Sequence, residues 1–169
     1  LIVFAAASLT DPFGEIATAF EAKDGAKVTH HFAGSNQLRS QLEQGAQADV
    51  FASANQTEMT NALNAGAISG DPSIFARNQL VVIVPKDNPG KVERLADLAK
   101  PGLKLVLAAP EVPVGGYALQ MLDKLSADPE FGADFKSQVL KNLVSQETNV
   151  RQVVSKIQLG EGDAGVVYS

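Results

Sequence analysis

Short apolar runs alternate with amphipathic stretches along most of this chain of 169 residues. The first three runs, at 1–7, 27–33 and 49–52, are each followed by apolar residues at helical spacing. Strands that alternate with helices form parallel sheets covered by helices on both faces, so the pattern predicts an α/β fold. The hydrophobic share of 45% is enough to form a sizeable core.

Glycine and N-cap residues mark where the predicted helices begin and end. The first helix, 11–23, is predicted to begin with Asp11 as N-cap and to end at Gly25. Its inward face is predicted to hold four residues, Phe13, Ile16, Ala17 and Phe20. Asn55 and Asn149 are predicted N-caps of later helices, and Asn55 is predicted to form a capping box with Glu58. Helices are also predicted at 36–44, 56–65, 93–99, 115–125, 129–141 and 150–159, and strands at 80–85, 103–108 and 164–168.

A segment rich in proline, glycine and aspartate at 85–90 follows the strand that starts at Leu80. We interpret this strand as the crossing into a second lobe. The predicted division is a first α/β lobe at 1–79, a second at 80–165, and the start of a return crossing to the first lobe at 166–169.

Composition narrows the function classes. The formal net charge is −5 and no basic run occurs, so nucleic acid is not expected as a partner. No apolar run approaches the roughly 20 residues that a membrane span requires. Because the chain starts directly inside a predicted strand and shows no signal peptide, we expect a processed or trimmed N-terminus. With no cysteine, disulfides and thiolate chemistry are excluded.

Four junctions between a strand end and a helix start carry the candidate chemistry, at Ser8, Ser35, Val114-Gly115-Gly116 and Asn149-Val150. Ligands of open α/β sheets bind at such edges, where backbone N–H groups and helix dipoles attract anions. The junctions therefore predict a pocket for a small dianion. Taken singly, a serine before a helix is more often only a cap.

Catalytic signatures are weak by comparison. His30 and His31 are neighbours on a predicted strand, so their side chains point to opposite faces and cannot chelate together. No serine-hydrolase elbow, zinc motif or phosphate-binding P-loop occurs. Asp49 and Asp163 have no evident carboxylate partner. An enzyme is therefore not expected.

Taken together, the junctions resemble those of the periplasmic molybdate-binding proteins of ABC transporters. The segments that carry this resemblance are 5–11, Gly34-Ser35, 45–54, 110–118, 149–152 and 165–169. The resemblance implies a two-lobed fold of the type II periplasmic-binding-protein class, with a mostly parallel sheet flanked by helices in each lobe. It also implies that a tetrahedral oxyanion, molybdate or tungstate, is held between the lobes and delivered to a membrane permease.

The resemblance further implies a set of five ligand-binding residues and no cofactor, with molybdenum present only within the oxyanion. Ser8 and Ser35 would each donate a hydroxyl and a backbone N–H from the first lobe. Val114 and Val150 would donate backbone N–H groups from the second lobe, and Tyr168 would donate its phenol near the hinge. The resemblance also implies a periplasmic location, or an extracellular and lipid-anchored one in a Gram-positive bacterium.

This sequence departs from the family pattern in two places. Asn36-Gln37 follows Ser35 where small hydroxyl and glycine residues are usual, and neither is assigned to the site. The family also continues beyond its Val-Tyr-Ser motif, here 167–169, into a part that completes the first lobe. We therefore expect a first lobe that is incomplete at the C-terminus. Either the sequence is part of a longer protein, or a second copy of the chain covers the open sheet edge in a dimer.

Other functions remain open from the sequence. A receptor for another tetrahedral oxyanion, such as sulfate or thiosulfate, would need the same kinds of donor. A phosphate receptor would need a carboxylate acceptor, and none stands at the five positions. A serine-dependent enzyme on the same fold would need a base beside Ser8 or Ser35. A sensor domain would normally be fused to a basic DNA-binding segment, which the chain lacks.

Overall fold

A computed structural model describes all 169 residues. The chain divides into two compact units, Leu1–Arg77 and Asn78–Ser169. This division falls slightly before the boundary between residues 79 and 80 chosen from the sequence. None of the helices combines the length and apolar character needed to cross a membrane.

The first unit contains a three-stranded sheet in the order β2-β1-β3, and both strand pairs are parallel. Its strands are β1 (Ile2–Ala6), β2 (Thr29–Ala33) and β3 (Val50–Ala52), and its helices are α1 (Thr10–Asp24), α2 (Ser35–Glu43) and α3 (Gln56–Asn64). A 3-10 turn, Ala7–Leu9, joins β1 to α1. The predicted alternation of strand and helix is confirmed in this unit.

The first unit is held together on both faces of β1. Side chains alternate between the faces of a strand, so Val3 and Ala5 pack on one face and Phe4 on the other. Phe4 meets Leu38 and Leu42, the two buried leucines of α2. The spacing of four residues in α2 places both leucines on one side of the helix, which fixes the helix against the sheet.

Two expectations for α1 are wrong. The helix begins at Thr10 as a direct continuation of the 3-10 turn, so the N-cap position is Leu9 rather than Asp11. Asp11 lies in the first turn, where its negative charge suits the positive end of the helix dipole. Ile16 was expected to face inward but is 60% exposed, and Ala17 is the buried residue of this helix.

The start of α3 follows the prediction only in part. The Asn55 side chain accepts a hydrogen bond from the backbone N–H of Glu58 at 2.9 Å, so Asn55 is the N-cap. In a full capping box the Glu58 carboxylate would accept from the Asn55 N–H. Instead, Glu58 binds Arg39 of α2, and the Asn55 N–H donates to Ser53 Oγ.

The second unit contains a four-stranded sheet in the order β4-β7-β5-β6. Its strands are β4 (Leu80–Ile83), β5 (Leu105–Ala108), β6 (Leu143–Glu147) and β7 (Ala164–Tyr168), and its helices are α4 (Pro113–Ala127), α5 (Phe135–Leu140) and α6 (Val150–Gln158). A 3-10 turn, Leu95–Ala99, lies between β4 and β5. β5 pairs in parallel with β6 and β7, whereas β4 is antiparallel to β7. The prediction of mostly parallel sheets is confirmed.

Three segments of the second unit differ from the sequence-based prediction. Strand β6 was not predicted, and α5 is shorter than the predicted helix 129–141. The predicted helix 93–99 is the shorter 3-10 turn Leu95–Ala99. In the structure, β7 runs through Tyr168 and pairs with β4 from Gly165 onward.

The core of the second unit again divides by strand face. Leu105, Leu107 and Val166 pack on one face under α4 and α5, whereas Val106 and Val167 pack on the other with α6. The two parallel strands β5 and β7 lie between these clusters and are buried almost throughout. Central parallel strands covered on both faces give the near-continuous apolar runs that the sequence shows.

Candidate functional site

Ser8 and Ser35 occupy matching positions at one edge of the first sheet. In the parallel pair of β1 and β2, Ala6 is opposite Ala33, and each serine follows its alanine by two residues. Ser8 lies in the 3-10 turn after β1, and Ser35 is the first residue of α2. Because carboxyl ends of neighbouring parallel strands lie at the same edge, the structure brings these two predicted residues together within the first unit.

The backbone at both serines is suited to an anion. N–H groups in the first turn of a helix have no carbonyl acceptor within that helix. Ser35 begins the nine-residue helix α2, which has no side-chain cap, and Ser8 lies within the 3-10 turn. Their N–H groups carry the partial positive charge that binds oxyanions at helix starts.

The Ser35 hydroxyl is held by a third loop of the first unit. Ser35 is 1% exposed, and its Oγ accepts a hydrogen bond from the backbone N–H of Ala54 at 2.9 Å. Ala54 follows β3, so it lies at the same sheet edge. A hydroxyl that accepts from an N–H keeps its own proton available for donation. No role for Ala54 follows from the sequence alone; the loop of small residues after the third strand is the available signal.

A polar network fixes the loop that presents the Ala54 N–H. The Ser53 hydroxyl donates to the Asn55 carbonyl at 2.9 Å and accepts from the Asn55 N–H at 3.3 Å. Arg39 Nε donates to Glu58 Oε2 at 2.7 Å, which ties α2 to α3. This hydrogen bond is the main reason that the pKa of Arg39 is raised, so the guanidinium stays charged at all ordinary pH values.

Val114 lies at the start of α4 in the second unit. Pro113 occupies the first helical position, where its missing N–H costs nothing. Val114 is 1% exposed, and its side chain packs into the core while its N–H belongs to the first helical turn. A Cβ added to Gly115 would come within 2.1 Å of the Ala109 carbonyl oxygen and 2.4 Å of that of Ala108. Gly115 therefore lets the helix start pack directly on the end of β5.

Val150 begins α6 in the same way. The Asn149 side chain accepts a hydrogen bond from the Gln152 N–H at 3.1 Å, which confirms the predicted N-cap. Gln152 Oε1 accepts in turn from the N–H and hydroxyl of Thr148, at 3.1 and 2.9 Å. This reciprocal cap leaves the N–H of Val150 in the first turn, with its side chain buried in the core.

Tyr168 is the third predicted site residue in the second unit. Its phenol oxygen is buried and has no hydrogen-bond partner in the chain. Burial, with a smaller contribution from Tyr117, raises the pKa of Tyr168 far above its ordinary value. A neutral phenol of this kind is a hydrogen-bond donor at every physiological pH.

The structure brings the three predicted residues of the second unit together. Val114 and Val150 are members of one buried cluster, against which Tyr168 packs. α4 and α6 follow the neighbouring parallel strands β5 and β6, and Tyr168 ends β7, which is parallel to β5. All three residues therefore lie at the carboxyl edge of this sheet.

The titratable side chains singled out from the sequence have structural partners. Asp49 accepts from the Ile2 N–H at 2.7 Å, and Asp163 accepts from the Lys104 N–H at 2.8 Å. His30 stacks on Phe32, with ring centroids 4.9 Å apart, whereas His31 lies against Phe4. No group of three or more histidine, cysteine, aspartate or glutamate residues is placed to hold a metal ion.

Both units present helix starts and neutral donors at sheet edges, which is the arrangement of an α/β solute-binding protein. The whole chain, residues 1–169, matches the family of bacterial extracellular solute-binding proteins. The chain belongs to this family.

Two curated relatives show which members of this family the chain resembles. The molybdate-binding protein ModA of Mycobacterium tuberculosis H37Rv is 40% identical over 169 residues, which is 99% of this chain and 60% of that protein. ModA of Escherichia coli K12 is 34% identical over 175 residues, covering 99% of this chain and 65% of the relative. The chain thus spans about 60% of the length of these curated relatives.

One solved structure supports the same comparison. The periplasmic molybdate-binding protein of Azotobacter vinelandii superimposes with a TM-score of 0.79 at 26% identity, covering 99% of this chain and 71% of that structure. The expected periplasmic-binding-protein-like α/β fold is therefore confirmed.

Proposed function

We propose that this chain binds molybdate as a receptor for an ABC transporter, and that tungstate, of the same shape and charge, binds the same donors. The observation that carries the proposal is the donor set itself. Ser8 and Ser35 lie at one sheet edge of the first unit, and Val114, Val150 and Tyr168 at one sheet edge of the second. The names of the mycobacterial and E. coli relatives support molybdate as the oxyanion.

The chemistry of these five residues fits a fully deprotonated oxyanion. Every group is a neutral donor: serine hydroxyls, main-chain N–H groups and a phenol whose pKa is raised by burial. No carboxylate is among them, so a protonated anion such as hydrogen phosphate finds no acceptor. Hydrogen bonds to a charged partner contribute about 1.5–3 kcal/mol each, so several together allow sub-micromolar binding after the entropy cost of binding is included.

Selectivity over sulfate must come from size, because molybdate and sulfate share charge and shape. Rigid elements can hold the donors at distances that match the longer metal–oxygen bonds of molybdate. The oxygens of the smaller sulfate ion would then lie too far from these donors. The buried Ser35 hydroxyl, held by Ala54, and the Val114 helix start, packed on β5 through Gly115, are fixed in this way.

A receptor of this type works outside the cytoplasm and delivers its ligand to a membrane permease. We propose a periplasmic location, or an extracellular lipid-anchored one, as in the Bacillus subtilis relative named as a substrate-binding lipoprotein, which is 34% identical. A serine-dependent enzyme has less support, because the hydroxyl of Ser35 is held by a backbone N–H rather than by a base.

Isothermal titration calorimetry of the purified chain tests the proposal. We expect one-to-one binding of molybdate and tungstate, and no measurable heat from sulfate or phosphate at the same concentrations. Sulfate binding as tight as molybdate binding would assign the site to another oxyanion. A folded protein that binds none of these anions would contradict the proposal.

A further inference from the structure

Two buried side-chain polar atoms in the whole chain lack a hydrogen-bond partner, Asn36 Oδ1 and Tyr168 Oη. Buried polar groups are nearly always paired, so each exception requires a physical reason. Tyr168 already has such a reason, because its phenol belongs to the proposed donor set. Asn36 has been given no role.

The position of Asn36 points to the same explanation. It is the second residue of α2 and follows Ser35 directly. The first turn of this helix has no side-chain cap, so its backbone N–H groups and its dipole attract an anion there. The neighbouring Gln37 is exposed, whereas Asn36 is partly buried with its oxygen fully so.

The amide chemistry decides which end of the side chain would meet an anion. A carbonyl oxygen repels a dianion, whereas the NH₂ group can donate two hydrogen bonds to it. The two ends exchange places by a half-turn about the terminal bond of the side chain, which needs no movement of the helix. The partnerless oxygen of Asn36 thus marks a group that can turn to present its nitrogen.

We propose that Asn36 is a further specificity-determining residue, whose Nδ2 donates a hydrogen bond to the bound oxyanion beside Ser35. This inference rests on the proposed function, because it adds a sixth residue to the set that contacts the same ligand.

Replacing Asn36 by leucine, aspartate or alanine tests the inference. Asn36→Leu keeps the approximate size of the side chain and removes both amide groups. We expect molybdate affinity to fall about 10- to 100-fold, the loss of one hydrogen bond to a charged partner. Resistance of the ligand-free protein to urea should not fall, because a buried atom without a partner has been removed.

Asn36→Asp places a carboxylate beside the anion and should weaken binding further than Asn36→Leu does. Gln37→Ala, in the same helical turn, is the matched control and should bind as the wild type. If Asn36→Leu does not fold, Asn36→Ala supplies the comparison, since it also removes both amide groups.

The outcomes separate this inference from the proposed function. If the wild type binds molybdate and Asn36→Leu binds equally well, Asn36 is not a ligand contact and only this inference is overturned. If Gln37→Ala loses as much affinity as Asn36→Leu, the effect is a general disturbance of α2, which also overturns it. If the wild type itself does not bind, both proposals fail together.

Discussion

The hydroxyl oxygen of Ser35 accepts a hydrogen bond from the backbone N–H of Ala54 at a distance of 2.9 Å. This contact joins the start of α2 to the loop after β3, two segments separated by 19 residues in the chain. It fixes the rotamer of Ser35, which is 1% exposed, and it occupies an oxygen lone pair that would otherwise repel an anion. The serine is thereby set as a donor before any ligand arrives.

Substitution of Ser35 by alanine removes this donor. We expect the dissociation constant for molybdate, measured by calorimetry, to rise about 10- to 150-fold, the equivalent of one hydrogen bond to a charged group. Ser8→Ala should act in the same direction.

Val150→Ala is the contrasting variant: its main-chain N–H remains, so affinity should change little, whereas loss of a buried side chain should lower the melting temperature. Equal losses of affinity in all three variants would contradict the main-chain role of Val150.

The Ser53 hydroxyl offers a test of positioning. Ser53→Ala removes both hydrogen bonds that fix Asn55 and should loosen the loop that carries the Ala54 N–H. We expect a several-fold loss of molybdate affinity in the wild-type background and none in the Ser35→Ala background, because the effect acts through Ser35. Additive losses in the double variant would show instead that Ser53 acts independently of the Ser35 hydroxyl.

Tyr168→Phe should separate binding from stability. The phenol oxygen is buried without a partner, so its removal should leave the free energy of unfolding of the ligand-free protein unchanged or higher. Molybdate affinity should nevertheless fall by about tenfold, as one donor is lost. A fall in both affinity and ligand-free stability would mean that the phenol has a structural partner instead.

The raised pKa of Tyr168 can be measured directly. In a Tyr117→Phe variant Tyr168 is the remaining tyrosine, and burial, the main cause of its shift, is retained. Tyrosinate absorbance of the folded protein should then appear only well above the ordinary pKa of about 10. A pKa raised by folding stabilises the native state below the unfolded value and loses that contribution as pH rises toward the folded value. Ionisation of the folded protein near pH 10 would contradict the burial.

Gly115→Ala should distort the start of α4. The new Cβ would lie 2.1 Å from the Ala109 carbonyl oxygen, a backbone atom that cannot move aside cheaply. We expect a loss of stability of at least about 1 kcal/mol, in the range of overpacking substitutions, together with weaker molybdate binding. Gly14→Ala is the matched control, since no atom lies within 4 Å of its Cβ in α1. It should stabilise the protein by about 0.5–1 kcal/mol in urea unfolding.

Patterns that reflect local geometry were predictive from the sequence. Asn149 was identified as an N-cap because its side chain competes well for the free N–H groups of a first turn, and the structure shows this hydrogen bond. The central strands β1 and β5 were found because burial on both faces demands continuous apolar runs. The edges of both sheets follow from parallel pairing, so Ser8 and Ser35 could be placed at one edge.

What the sequence missed depends on tertiary context. Strand β6 lies at the sheet edge and pairs with β5 alone, so its Ser145 and Gln146 did not resemble a buried run. Ile16 completes an apolar face at helical spacing, but spacing identifies a face without showing what covers it, and Ile16 is exposed. The hydrogen bond from Ala54 to Ser35 joins distant segments, and no local pattern encodes it.

Two of the five proposed donor residues, Val114 and Val150, contribute only main-chain N–H groups at helix starts. Every replacement of these valines except proline leaves the N–H in place, so any other change removes such a donor only if the helix moves. In a saturation screen for oxyanion uptake, these two positions should tolerate any residue that packs, whereas Ser8, Ser35 and Tyr168 should tolerate few. Fewer positions would therefore be sensitive to mutation than contribute donors to the site. Conservation of the fold would itself preserve part of the specificity.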